Sequence, residues 1–312
     1  MTSLSSKSVL LKSTKVHWNL KRNWVLYACL LPSALMLLVF SYWPMYGIII
    51  AFKDFNPGLG FAKSPWVGFA WFKFVFTLPN FSRIISNTIV IAVIKIILGQ
   101  LVPITFALLL NEVRVKTFKK TIQTFVYLPH FLSWVIVGGI FLDMMSREGL
   151  VNQMIGWVGL KPIGFLIDNN WFKFTLISTD IWKGFGWGAI LYLAALSNIN
   201  PDLYEAAVID GANRMQRMIN ITLPGISSTI VLLAALSLGG ILDAGFEQIL
   251  IMYNPAVYPS GDVLDTFIFR QGLTEMQFSL ATAVGLFKSC IGFLLIVLSN
   301  RLASRFANYR IF

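Results

Sequence analysis

Predominantly apolar windows of ~20 residues recur along the chain, near 24–50, 85–111, 120–144, 173–198, 226–252 and 278–302. Each is long enough to cross about 30 Å of hydrocarbon as a helix. A lipid-exposed backbone must satisfy its own hydrogen bonds, so the windows predict helices rather than strands. The pattern therefore predicts an all-α polytopic membrane protein with six transmembrane helices. A basic segment, 1–23, precedes a single domain over 24–302, and a short tail, 303–312, follows it.

Between the fourth and fifth windows the period shortens. From Pro201 to Leu223, Leu203, Ala206, Ala207, Ile209, Met215, Met218 and Ile219 alternate with Asp202, Glu205, Asp210, Arg214 and Arg217. Asp202 is placed to cap a helix, with Glu205 at capping-box spacing. Asp210-Gly211 supplies a turn, because glycine takes positive φ without a Cβ penalty. A second short helix is expected from about Ala212 to Thr222, ended by Pro224, which has no N–H. Such a helix-turn-helix offers an apolar knob with a charged rim, a shape suited to a groove on a soluble partner. The plain alternative is a connecting loop that rests on its own helix ends.

Composition supports the membrane reading. Of the 312 residues 56% are hydrophobic and only 12% charged, against about a quarter charged in soluble domains. The 26 Phe, 10 Trp and 9 Tyr suit spans that cross the water interfaces. A net charge of +11 matters through its distribution rather than its sum. With the N-terminus inside, the inner segments hold 14 Lys and Arg, the outer segments eight, and three lie within spans. That excess puts both termini, and the 201–225 loop, in the cytoplasm. Nucleic acid is not an expected partner. Residues 24–42 are longer than a secretory h-region and lack a small-residue cleavage site, so they read as a retained signal anchor. Cys29 and Cys290 both sit in apolar windows, and His17 and His130 have no metal spacing, so neither a disulfide framework nor a metal site is expected.

The same loop carries a motif. Glu205-Ala206-Ala207, three residues, Gly211, nine residues, Ile221, one residue, Leu223-Pro224 fits EAA-x3-G-x9-I-x-LP at seven fixed positions. At background frequencies that happens by chance on the order of 10⁻⁸ per starting point. On this motif the chain resembles permease subunits of binding-protein-dependent ABC importers, sugar-type family. Further segments resemble its LplB-like branch: Tyr46 to Pro57 (YGIIIAFKDFNP), Leu128 to Trp134 (LPHFLSW), Gly245 to Gln248 (GFEQ), Tyr253-Asn254-Pro255, and Ala283 to Ser289 (AVGLFKS). The resemblance implies a type I ABC importer permease fold and a heterodimer with a second, homologous permease. It also implies two ATP-binding subunits docked on the loop and an extracytoplasmic binding protein that delivers the solute. Glu205, Ala206, Ala207, Asp210, Gly211, Arg214, Ile221, Leu223 and Pro224 would then couple the chain to its ATPases. No GxxxxGK[ST] phosphate loop occurs in the sequence, so ATP and Mg are expected in the partner subunits, with no cofactor and no enzymatic activity here.

Ionisable residues inside the windows carry the remaining chemistry. Lys95, Asp180, Lys183, Asp243, Glu247 and Lys288 would each cost several kcal/mol in lipid, so each faces protein, water or an interface. Asp243 and Glu247, four apart, are expected on one helix face; Asp180 and Lys183, three apart, are placed to pair. One reading puts Asp180, Lys183, Asp243 and Glu247 in a translocation path, with Trp182, Trp187, Phe246 and Tyr253 as platforms for sugar-ring C–H faces. The other makes the charges interhelical ion pairs and the aromatics packing or lipid contacts; Lys95 and Lys288 fit that reading better. Gly184, Gly186 and Gly188, and Gly239-Gly240, point to close helix contact or a bend.

The leading expectation is a multi-pass plasma-membrane permease for oligosaccharides. The LplB-like branch is associated with plant or algal polysaccharide fragments, some of them acidic. An ion-coupled secondary transporter is the alternative, and it leaves the loop unexplained. An integral-membrane enzyme finds no nucleophile-base pair or metal spacing in its favour.

Overall fold

A computed structural model describes residues 24–306, with side chains placed as far as Arg301. The expected basic segment 1–23 lies outside these residues, as does the tail beyond residue 306. Among the described residues the backbone is helical apart from turns, loops and one isolated antiparallel bridge between Lys53 and Trp66.

The chain divides after Ile49 into two units. In the first, α1 (Trp24–Leu37) passes through a π-helical turn, Leu38–Tyr42, into a 3₁₀ stretch, Trp43–Phe52. Pro44, which cannot donate to the helical ladder, falls where the α geometry has been given up. Side chains of α1 are apolar all round and exposed, as expected for a helix whose solvent is lipid.

The second unit begins at Ile50 and, after a short helical turn, Gly60–Lys63, runs through α2 (Ala70–Thr77) and α3 (Phe81–Asn111). It continues through α4 (Lys116–Tyr127), α5 (Trp134–Met144), α6 (Leu150–Trp157) and α7 (Asn169–Ser197). The loop helices α8 (Pro201–Ile209) and α9 (Arg214–Arg217) follow, then α10 (Ser227–Gly239), α11 (Phe246–Met252), α12 (Leu264–Phe269) and α13 (Phe278–Phe306). The spine is α3 packed along α7. Small residues bring helices close: a Cβ on Gly188 would press on Pro103 of α3, and one on Gly186 would collide with the Val126 carbonyl of α4. On the other side α10 lies against α13, α11 against α5, and α12 and α2 against α13. One core cluster joins Ile91, Phe172, Leu176, Ile249, Met252 and Val263, and another joins Ala107, Ala189, Tyr192, Leu196 and Ile226.

Among the described residues three helices are long and apolar enough to span a membrane, Trp24–Phe52, Phe81–Asn111 and Phe278–Arg301, and up to five if two bent pairs each count as one. The expected six is a finer statement than these residues establish. At 29 residues, α7 is about 43 Å long, but its charged and polar residues keep it below the apolarity of the other three. The third window is broken by 100° between Phe131 and Trp134. Pro129 stops the ladder, and Ser133 turns extended, its hydroxyl accepting from the Ile136 amide to cap α5.

The fifth window is interrupted at Gly239-Gly240, where the sequence pointed to close contact or a bend. It stops at Gly239 and crosses Gly240 to Gly245 irregularly before resuming as α11. Paired glycines weaken the helix, and Gly245 sits at φ 90°, a conformation open to glycine and strained for other residues.

Candidate coupling loop and in-span polar sites

The 201–225 loop folds by local interactions. The cap on α8 is Asn200, not the expected Asp202: its side-chain oxygen accepts from the Asp202 amide at 3.1 Å. Pro201 fits the first helical position, where a missing N–H costs nothing. Gly211 ends the helix at φ 76°, as its place after Asp210 led one to expect, and the Ala212 amide reaches back to the Ala207 carbonyl at 2.8 Å. The capping box belongs to the second helix, where Asn213 and Gln216 exchange bonds of 2.9 and 2.8 Å, rather than to Asp202 and Glu205. Beyond α9 the chain makes a π turn, Met218–Thr222, and stays helical to Gly225. Pro224 therefore does not end the helix as expected. It occupies the first turn of the next helical segment, where its amide is not needed, and the bend of 55° comes after Gly225.

Tyr204 and Thr222 join the two arms of the loop through their hydroxyls at 3.0 Å. The exterior remains apolar: Ile209 is 86% exposed, and Leu203, Val208, Met215 and Ile219 are each more than half exposed. Glu205, Ala206, Asp210 and Arg214 are exposed beside them, with Ala207 half-buried. Ile221 and Leu223 are half-buried, while Pro224 is exposed. At the base Ile226 is fully buried, and Ile199 packs against Gly225. The motif residues thus stand on one exposed, self-braced element.

Within the spans the polar residues pair across helices. The expected Asp180–Lys183 pair does not form. Asp180 faces Lys95 of α3 at 3.3 Å. The Lys95 ammonium also donates to Gln248 Oε1 at 2.6 Å and to the Ala244 carbonyl, in the interruption before α11, at 2.9 Å. Gln248, wholly buried, passes the network on to Thr179 and the Leu176 carbonyl, both at 2.7 Å. A cavity of about 290 Å³ opens beside it, lined by Lys95, Asp180, Ser237 and Asp243. Lys288 pairs with Asp265 at 2.5 Å, as its expected structural role requires.

Asp243 and Glu247 do not share a helix face. Left-handed Gly245 lies between them, Asp243 belongs to the interruption and bonds the Gly245 amide at 3.3 Å, and both carboxylates are exposed. Lys183 turns the other way from Asp180 and donates to the His130 carbonyl at 3.1 Å, its ammonium 5.3 Å from the Trp134 ring centroid. Of the expected aromatic platforms, Trp187 stacks on His130 at 4.6 Å and Trp182 meets Phe141 edge to face. Phe246 packs on Phe269, and Tyr253 lies against Tyr258. Burial chiefly, with Tyr258 and Asp262 nearby and Arg270 opposing, pushes the Tyr253 hydroxyl up to about 12. Trp187 and Lys183 therefore stand in one region with His130 and Trp134, Trp182 packs apart from them on Phe141, and Asp180 and Asp243 line the cavity beside Lys95. Gln248, His130 and Trp134 stand in segments that carry the family resemblance, but nothing in the sequence assigns them a place in a site. A buried Gln inside an apolar run is a signal that could have marked the first of these.

A family model described as binding-protein-dependent transport system inner membrane component matches residues 19–308. Protein LplB of Bacillus subtilis (strain 168) is 46% identical over 288 residues, 92% of this chain and 91% of that protein. The polygalacturonan/rhamnogalacturonan transport system permease protein YteP of the same organism is 43% identical, over 92% of this chain and 90% of its own. Among solved structures, a chain of a bacterial ABC transporter involved in the import of the acidic polysaccharide alginate matches with a TM-score of 0.86 and 42% identity. It covers 92% of this chain and 97% of its own. A bacterial alginate ABC transporter in complex with alginate pentasaccharide-bound periplasmic protein gives the same TM-score at 40% identity, covering 94% and 98%. Among the described residues no group of His, Cys, Asp and Glu is arranged to hold a metal ion.

Proposed function

This chain belongs to the family of inner-membrane components of binding-protein-dependent transport systems, and from that membership we propose that it forms half of the translocation path of an ATP-driven importer of oligosaccharides, acidic ones included. A second permease completes the path, two ATP-binding subunits dock beneath it, and an extracytoplasmic binding protein delivers the sugar. ATP and Mg bind in those partner subunits, and this chain contributes no catalysis. Six spans cross the bacterial plasma membrane with both termini in the cytoplasm, the basic segment 1–23 and the tail 303–312 included. The named relatives that handle polygalacturonan or alginate support the acidic cargo.

The observation that carries the coupling half of this reading is the exposed, self-capped loop with Glu205, Ala206, Ala207, Asp210, Gly211 and Arg214 on it. Its apolar knob, Leu203, Val208, Ile209, Met215 and Ile219, is costly to leave in water and cheap to insert in a groove. Ile221, Leu223 and Pro224 carry the segment on to the bend, so a push on the knob is delivered to α10. Closure of the ATPases around their nucleotide then rocks the spans between inward-open and outward-open states. Asp180, Asp243, Trp182, Lys183, Trp187, Phe246, Glu247 and Tyr253 are assigned to the path.

The test is reconstitution. The chain, co-expressed with its second permease, ATPases and binding protein, should take up uronate oligosaccharides in proteoliposomes only with ATP, and uptake should fail when Glu205 is replaced. Uptake that persists without any ATPase subunit would defeat this reading, and its dependence on an imposed proton or sodium gradient would favour the ion-coupled alternative.

A further inference from the structure

Lys183 stands at the midpoint of α7, fourteen residues from Asn169 and fourteen from Ser197. A helix of that length puts it about 21 Å from each end, too far for its ammonium to snorkel to either interface. Lys95 and Lys288, the other lysines inside the spans, each have a carboxylate, Asp180 at 3.3 Å and Asp265 at 2.5 Å. Among the described residues no carboxylate lies within ion-pair distance of Lys183. It holds one hydrogen bond, to the His130 carbonyl at 3.1 Å, and leaves two N–H donors uncommitted.

Its surroundings are aromatic. Trp134 offers a ring face at 5.3 Å from Nζ, and Trp187, one turn along α7, stacks in parallel on His130 at 4.6 Å. Phe131 closes on Trp187 edge to face at 5.7 Å. Trp187 is nearly half exposed, and Lys183 itself is half-buried. A half-buried cation with free donors, beside an indole that stays nearly half exposed after stacking on His130, fits a ligand that combines a carboxylate with a flat apolar C–H surface. A uronate residue is that ligand: the carboxylate takes the ammonium and the pyranose face lies on the indole.

We propose that Lys183, with Trp187 and Trp134, forms a uronate subsite in the path, and that the countercharge missing from this span is supplied by the cargo. The proposal rests on the importer reading above and deepens it. His130 is a positioning residue here: its carbonyl orients Lys183 and its ring holds Trp187 flat. The cavity beside Lys95 is a different place, where two carboxylates, Asp180 and Asp243, make a poor host for an anion.

The complete importer in proteoliposomes is given binding protein loaded with either oligogalacturonate or its methyl ester of equal length. The same binding protein delivers both, so its own preference cancels when each variant is divided by wild type. Lys183→Gln should lower the uronate-to-ester uptake ratio on the order of tenfold, since a charged hydrogen bond is lost only with the free carboxylate. Lys183→Arg should restore most of the ratio. Equal loss of both substrates, or no change in the ratio, overturns the proposal. Loss of the second permease on co-purification of Lys183→Gln also overturns it, because the countercharge would then be the partner's. If the wild-type importer takes up neither sugar, the importer reading itself has failed.

Discussion

The 201–225 loop and the polar cluster around Lys95 use similar residues on opposite terms. Every hydrogen bond that shapes the loop joins residues at most 18 apart, and its apolar side chains face outward. The Lys95 cluster joins residues 69 to 153 apart, with Gln248 at its centre wholly buried. One is a self-contained part with an unfilled outer face; the other is a rivet through three helices. The difference separates docking from integrity: damage to the loop should stop work while sparing the fold, and damage to the rivet should lower the stability of the fold itself.

The largest effect should come from Lys95→Met, which strands Asp180, Gln248 and the Ala244 carbonyl in the span. Breaking such a pair costs about 3 kcal/mol. It should appear as a marked fall in the melting temperature of the detergent-purified chain, with most of it recovered in Lys95→Met/Asp180→Leu. No fall in the single variant would mean that the cluster is not a rivet.

Next in size, Glu205→Arg reverses a charge on the docking face without touching a hydrogen bond of the loop. It should weaken ATPase association by about 2 kcal/mol, roughly thirtyfold, while the melting temperature stays at the wild-type value. Co-purification of the ATPases measures the first quantity and a thermal scan the second. A variant that melted early yet kept its ATPases would invert the comparison.

The smallest change is Asn213→Ala, which removes the capping box and costs about 1 kcal/mol, confined to α9. Partial loss of ATPase association with faster amide exchange over 213–217 is expected. Exchange that spread into α10 would show that the loop is not a self-contained part.

The same contrast explains what was legible in the sequence. The loop could be read because its physics is local: a turn glycine and apolar residues at helical spacing sit within one short stretch. Even there the cap lies two residues before the expected Asp202, because Asn200 takes it, and the capping box belongs to Asn213 and Gln216 of the second helix. The cluster could not be read because spacing along α7 suggested a pair, Asp180 with Lys183, that helix packing overrides. Asp180 points to α3, and Lys183 to the chain around His130. In the fifth span Gly239-Gly240 already marked a contact or a bend, but the irregular stretch up to left-handed Gly245 was not legible, because hydropathy carries no backbone geometry.

The segment Arg214–Gly225 can be treated as a lever arm pivoting at the 55° elbow before α10. Its 12 residues make it about 18 Å long, so a tilt of about 10° carries its free end about 3 Å. Buried Ile226 holds the pivot, and the Tyr204–Thr222 bond ties the neighbouring arm to it as a brace. Under the proposed coupling, a stroke of a few ångströms at the tip becomes an angle at the elbow, and α10, 13 residues long, carries a displacement of similar size to its far end.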